Sequence, residues 1–205
     1  AGVPAFYFDL ARIEEENGHV TGALRAYRMA GGTREAILGE ARSLLAMNDL
    51  DAAERVLRSA GWGGRNPEPD EVTLLRAAIA FRRGRFDEAD ALTDAVISSE
   101  TVRRDDDLLK GRIRAALGDP DGALNRFAAA TALSPSFADA YFEAAKIHYA
   151  RRDVAQARMA LEKTLYYDNT QAPAFVMLAL VNDDRRLPLE AIRSRNADGE
   201  AGVDD

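Results

Sequence analysis

Cysteine is missing from all 205 residues, which excludes disulfides and thiolate chemistry but leaves the compartment open. Histidine occurs only at His19 and His148, and tryptophan only at Trp62. Lysine is confined to Lys110, Lys146 and Lys163, so arginine carries nearly all of the positive charge. No apolar run approaches the roughly 18 residues that a membrane-spanning helix needs, and membrane insertion is not expected. β-Branched residues are sparse beside abundant alanine, which favours helix over strand. The formal net charge of -7 argues against a nucleic-acid binder that tracks phosphates. Residues Ala1 to Pro4 fit a processed end or a piece of a larger parent. A removed signal peptide would place the chain in the periplasm; otherwise the expected compartment is the cytoplasm.

What the chain does have is a repeat. Gly118, Ala123, Phe127 and Ala130 recur in the same order at Gly18, Ala23, Tyr27 and Ala30. Weaker copies start at Asn48 (Ala53, Leu57, Ala60), at Gly84 (Ala89, Thr93, Val96) and at Arg152 (Ala157, Leu161, Thr164). Successive turn positions are 30, 36, 34 and 34 residues apart. Offsets of four and three residues mark one helix face, and repetition at this period marks a solenoid. A solenoid of helix pairs holds another molecule more readily than it performs chemistry on one.

The punctuation predicts five helix pairs: 5–17 with 21–29, 34–47 with 51–59, 70–83 with 87–98, 105–117 with 120–132, and 137–150 with 154–166. A further helix spans 172–181. Residues 1–181 thus read as a single array, and 182–205 as a polar extension, partly docked through Leu187, Leu189 and Ile192 or disordered. Asp51, Asp87 and Asp121 fall in first turns, where acidic groups favour the exposed N–H groups. Asp119-Pro120 reads as a cap and first helical residue, with Ser134-Pro135 repeating the device. The run Asp105-Asp106-Asp107 reads as a helix N-terminus rather than a metal site. Two phases hold only small residues: Ala11, Ala41, Ala77, Gly111 and Ala145 in first helices, and Ala23, Ala53, Ala89, Ala123 and Ala157 in second helices. They let paired helices approach closely.

This pattern resembles the tetratricopeptide repeat, carried most fully by Tyr7, Leu10, Ala11, Gly18, Ala23, Tyr27 and Ala30, and by Gly111, Gly118, Ala123, Phe127, Ala130 and Pro135. The fourth unit departs from it with Asp107 at the large first position, and the fifth with Arg152 at the turn glycine. The resemblance implies an all-α, right-handed α-solenoid of antiparallel helix pairs whose first helices line a concave groove. It also implies a non-catalytic scaffold or adaptor that binds a protein or peptide.

Carrying the family's groove positions onto this chain gives an apolar column of Phe8, Leu38, Leu74, Leu108, Phe142 and Val176. Beside it run Arg12, Arg42, Ala78, Arg112 and Lys146, then Glu15, Leu45, Phe81, Ala115 and Tyr149. An apolar stripe beside a basic ladder suits a peptide with apolar anchors and carboxylates. The candidate contacts are therefore Phe8, Arg12, Leu38, Arg42, Leu74, Leu108, Arg112, Phe142, Lys146 and Tyr149. The competing reading packs the apolar column between adjacent helices and pairs the arginines with neighbouring carboxylates. The subgroup that clamps chaperone tails is not matched, since Phe8, Arg12 and Gly39 replace its lysine and asparagines. Use of the convex or terminal surfaces, as a structural or assembly subunit, and a role as the interaction domain of a larger regulatory enzyme are the alternatives. Homo-oligomerisation stays open.

Catalysis has little to draw on. His19 and His148 fall in different repeats, and no nucleophile elbow, His-Glu metal spacing or phosphate loop is present. The glycines around Gly31 and Trp62 read as helix stops and a connection. No cofactor or metal is expected.

Overall fold

The computed structural model describes residues 3–62, 69–96 and 100–184. The chain divides into two compact units, Ala1–Leu117 and Gly118–Asp205. Unit 1 holds α1 (Val3–Glu16), α2 (Val20–Ala30), α3 (Arg34–Ala46), α4 (Leu50–Ser59), α5 (Asp70–Arg82), α6 (Phe86–Asp94) and α7 (Glu100–Ala116). Unit 2 holds α8 (Pro120–Leu133), α9 (Ala138–Ala150), α10 (Val154–Tyr167) and α11 (Ala172–Asp184). No strand occurs among the described residues. The architecture is all-α, and within each unit consecutive helices pack on one another. The expected tail beyond residue 184 lies outside the described residues, as do Gly63, Gly64, Pro67 and the expected end of the third pair at Ser98.

Five turns repeat one backbone device. Gly18, Asn48, Gly84, Gly118 and Arg152 all have positive φ, between 61° and 81°. The left-handed conformation reverses the chain within three residues and suits glycine because Cβ is absent. Asn48 and Arg152 hold it without that relief. The residue after each turn position then caps the second helix where it is aspartate. Asp49, Asp119 and Asp153 accept from the backbone N–H of Ala52, Gly122 and Gln156 at 3.1, 2.9 and 3.2 Å. Pro120 takes the first helical position behind Asp119.

Two expectations about helix starts are corrected. Ser134 closes α8, while Phe137 opens α9 without a side-chain cap. α7 begins at Glu100, so Asp105, Asp106 and Asp107 sit beyond its first turn rather than at its N-terminus. Asp106 is buried and its Oδ2 lies 3.0 Å from Lys110 Nζ, one helical turn on.

Both small-residue phases are buried. Ala11, Ala41, Ala77 and Ala145, and Ala23, Ala53, Ala89, Ala123 and Ala157, are at most 1% exposed. The larger phase one turn on, Tyr27, Leu57, Thr93, Phe127 and Leu161, is buried as well. Thr93 and Thr164 satisfy their buried hydroxyls by donating to Asp90 and Ala160 carbonyls, both at 2.9 Å. Trp62 is a core residue, packed with Leu44, Leu57, Val72 and Ile79.

Candidate functional site

The first helices place Phe8 and Arg12 on α1, Leu38 and Arg42 on α3, Leu74 on α5, and Leu108 and Arg112 on α7, all in unit 1. Phe142, Lys146 and Tyr149 lie on α9 in unit 2. A spacing of four residues stacks Phe8, Leu38, Leu108 and Phe142 each under its cation on one helix face, while Leu74 has Ala78 there.

The apolar column serves the core first. Leu38 and Leu108 are buried. Phe8 is half-buried, its ring edge-on to Tyr27 with centroids 6.1 Å apart. Leu74 packs on the cluster of Ala77, Ala80, Ala89 and Ile113, while Phe142 and Tyr149 pack on that of Ala145, Ala157 and Leu161. Val176 alone in this column is fully open, at 63% exposure. A cavity of about 380 Å³ opens beside Phe8, lined also by Pro4, Ala5, Ala30, Thr33 and Glu35.

Arg12, Arg42 and Lys146 of the ladder are exposed and Arg112 is half-buried, and all four are engaged. Arg12 lies 3.7 Å from Glu16 and Arg42 3.1 Å from Glu15. Lys146 pairs with Glu143, and its Nζ sits 5.7 Å from the Phe142 ring centroid. Arg112 also has a partner. The geometry therefore brings Arg42 to Glu15 across α3 and α1, and Lys146 to Phe142 within α9. Exposed ion pairs contribute only about 0–1 kcal/mol, so an incoming carboxylate can exchange for the internal one.

One constellation escapes a reading by columns. The Tyr27 hydroxyl donates to Glu15 Oε2 at 2.5 Å, and Arg42 Nε donates to Glu15 Oε1 at 3.1 Å. Three helices are thus tied by one carboxylate. Burial, followed by the hydrogen bond to Glu15, pushes the Tyr27 hydroxyl up to about 12. The signal available in sequence was tyrosine at a phase filled elsewhere by Leu57, Thr93, Phe127 or Leu161, because only tyrosine there carries a polar group at the end of a long side chain. A second tie joins α4 to the end of α5, where Arg83 contacts both Asp51 and Glu54 at 2.5 Å. The Arg83 hydrogen bond holds the Glu54 carboxyl below the usual carboxylate range.

Nothing resembling a catalytic centre is assembled among the described residues. His19 Nδ1 lies 3.0 Å from Glu14, and His148 Nδ1 lies 3.9 Å from Asp153. Among the described residues no group of His, Asp and Glu is placed to hold a metal ion. No described helix is long and apolar enough to cross a membrane.

Helix pairs in this register, with small residues at two buried phases and a left-handed turn between, define a class of helical repeat. The family model described as tetratricopeptide repeat matches residues 38–101 and 108–173. The chain belongs to the tetratricopeptide repeat family, and its function is of that general type, a protein–protein interaction scaffold. No curated protein matches its sequence significantly. The fold is similar to that of TTC0263, a thermophilic TPR protein in Thermus thermophilus, with TM-score 0.72, 17% identity and coverage of 87% of this chain and 98% of that one. It is similar to PilW, a type IV pilus biogenesis factor, with TM-score 0.68, 19% identity and coverage of 98% and 94%. It is also similar to the Cut9–Hcn1 structure of the APC/C, with TM-score 0.69 and 15% identity; there 85% of this chain spans only 35% of that one.

Proposed function

We propose that the chain is an adaptor that holds a peptide segment on the faces of its first helices, and that the segment is acidic with apolar anchors. The observation that carries this reading is the repeated dyad of an aromatic ring with an exposed cation four residues later, Phe8 with Arg12 and Phe142 with Lys146. Each unit supplies such a dyad by itself. Half-buried rings offer an edge to a partner side chain, and the cations beside them trade an internal carboxylate for an external one. Arg42, Leu74, Arg112 and Tyr149 extend the same faces, with Leu38 and Leu108 buried beneath them. The local positive charge would steer an acidic segment within an otherwise negative protein.

The test is a display selection of acidic peptides on the full chain, followed by calorimetry at low and high salt. Replacing Arg12 and Arg42 with Gln is expected to weaken selected peptides at least tenfold at low salt, with helicity unchanged. Equal affinity for the wild type and this double variant at both salt levels, together with equal affinity for Lys146→Gln, overturns the reading.

A second reading is an assembly subunit that docks through its surface. It is favoured by Phe175, Val176 and Leu180, each at least 51% exposed on α11. Two of the structural relatives also concern assembly, PilW as a biogenesis factor and Cut9–Hcn1 as a hetero-tetramer. Replacing Phe175 and Leu180 with Ser tests this reading separately from the first.

A further inference from the structure

Unit 2 contains a cleft of about 370 Å³ between α8, α9 and α10, on the side away from the dyads in sequence phase. Leu124 and Ala128 line it from α8, Tyr141 and Ala144 from α9, Met159 and Lys163 from α10. No aspartate or glutamate lines it, although the whole chain carries 34 acidic residues. His148, also in the lining, has Asp153 within 3.9 Å. Lys163 differs from the ladder cations. Among the described residues it makes no ion pair, and its Nζ rests 5.2 Å from the Tyr141 ring centroid.

The repeat itself explains why this cleft exists. Ala128 stands five residues after Ala123, and Ala144 immediately precedes Ala145. At the same two phases α2 and α3 carry Arg28 and Glu40, which bridge the two helices at 2.8 Å. In α6 and α7 the same phases carry Asp94 and Lys110, 4.0 Å apart and of reversed polarity. Two inter-repeat junctions in unit 1 are therefore closed by charge. The corresponding junction in unit 2 has alanine at both positions and stays open.

We propose that this open junction is a second peptide-binding site. It takes an apolar side chain against Ala128, Ala144 and Met159, and a carboxylate of the same segment at Lys163. The volume lies at the lower end of the roughly 300–1,000 Å³ of ligand pockets, so it suits one or two side chains and not a bulky group. Met159, 52% exposed, provides a deformable apolar wall. The cationic end is held in place beforehand. Tyr141 donates its hydroxyl to the Pro135 carbonyl at 3.2 Å and stacks on Tyr167 with centroids 5.9 Å apart, so the ring beneath Lys163 is fixed. Little side-chain entropy is then lost when a carboxylate arrives. The site does not depend on the first-helix reading.

The experiment is a selection of phage-displayed random dodecapeptides on the full chain, with selected peptides then titrated against variants. The decisive variant is Ala128→Arg with Ala144→Glu, which installs the bridge that Arg28 and Glu40 already form in this fold. Lys163→Glu, at an exposed position, is the second. The expected consensus sets an apolar residue within a few positions of Asp or Glu. Its affinity falls at least tenfold for both variants, survives Lys163→Arg, and is unchanged by Arg12→Gln with Arg42→Gln. Circular dichroism checks that each variant keeps its helicity; if the bridged variant unfolds, Lys163→Glu and its Arg control decide. Failure to select any peptide, a consensus without a carboxylate, or full binding to the bridged variant overturns the proposal. So does a self-association in sedimentation that the bridge abolishes, because the occupant would then be a second copy. Loss on the Arg12 and Arg42 variant alone would support the first-helix reading and overturn this one.

Discussion

The Tyr27 ring lies directly over Gly39, in the space that a Cβ on that residue would occupy. The contact sets the distance between α2 and α3, and the hydroxyl at the far end of the ring is anchored on Glu15. The ring therefore has nowhere to move.

Gly39→Ala is accordingly expected to destabilise unit 1. Alanine gains roughly 1 kcal/mol of helix propensity over glycine, but overpacking a fixed ring costs about 1–3 kcal/mol. Overpacking wins because the obstacle is the body of an anchored ring rather than a flexible chain end. Thermal denaturation should show a lower Tm for Gly39→Ala. Adding Tyr27→Leu, the residue type found at this phase in α4 and α10, should recover part of the loss. A Tm at or above the wild type for Gly39→Ala alone contradicts the contact.

Tyr27→Phe removes the hydrogen bond to Glu15 and is expected to cost about 1–2 kcal/mol at neutral pH. Its pH dependence is diagnostic. The folded Tyr27 hydroxyl titrates at about 12, above the ordinary value of about 10. A raised folded value means that this stabilisation is complete below about pH 10. It is lost as pH rises through the folded value. Denaturant midpoints across this window should show a loss for the wild type that the Phe variant lacks. Parallel curves would exclude the hydrogen bond as its source.

The tie made by Arg83 should appear at the other end of the pH scale. Glu54 is held below the usual carboxylate range, chiefly by its hydrogen bond from Arg83. Its stabilisation is present above the ordinary glutamate value of about 4.3 and is lost as pH falls through the lower folded value. Arg83→Gln should lower stability at pH 7, and the gap to wild type should close on acidification. A gap that persists unchanged below the folded Glu54 titration would assign the effect to packing of the Arg83 stem.

Arg152 occupies the left-handed turn position with φ of 61°, where four of its counterparts are Gly18, Asn48, Gly84 and Gly118. Left-handed backbone costs a non-glycine residue roughly 1–2 kcal/mol. Part of that is returned by the greater freedom of glycine in the unfolded chain. Arg152→Gly is expected to raise stability by about 0.5–1 kcal/mol, read as a higher Tm with peptide binding unchanged. A lower Tm would reveal a contact of the Arg152 side chain that outweighs the backbone strain.

Much of this molecule is written locally. The small residues at two phases, the turn positions and the helix pairs follow from the sequence alone, because helix periodicity and left-handed turns depend on residues within a few positions of each other. Even the degenerate turns at Asn48 and Arg152 keep the phase, and the structure gives them the same backbone as glycine. Helix ends were less legible. α7 starts earlier than its acidic run suggests, because that run is accommodated through partners such as Lys110 rather than through a helix terminus. The candidate site was legible only as columns. Whether a column residue is groove or core depends on packing against the next helix, and Leu38 and Leu108 went to the core. Which carboxylate meets which arginine was decided by tertiary structure, since Arg42 finds Glu15 across 27 residues of sequence and Arg83 finds Asp51 across 32. The same holds for the cleft in unit 2. Ala128 and Ala144 are ordinary helix formers in sequence, and only the meeting of α8 with α9 leaves room where Arg28 and Glu40 close the corresponding junction.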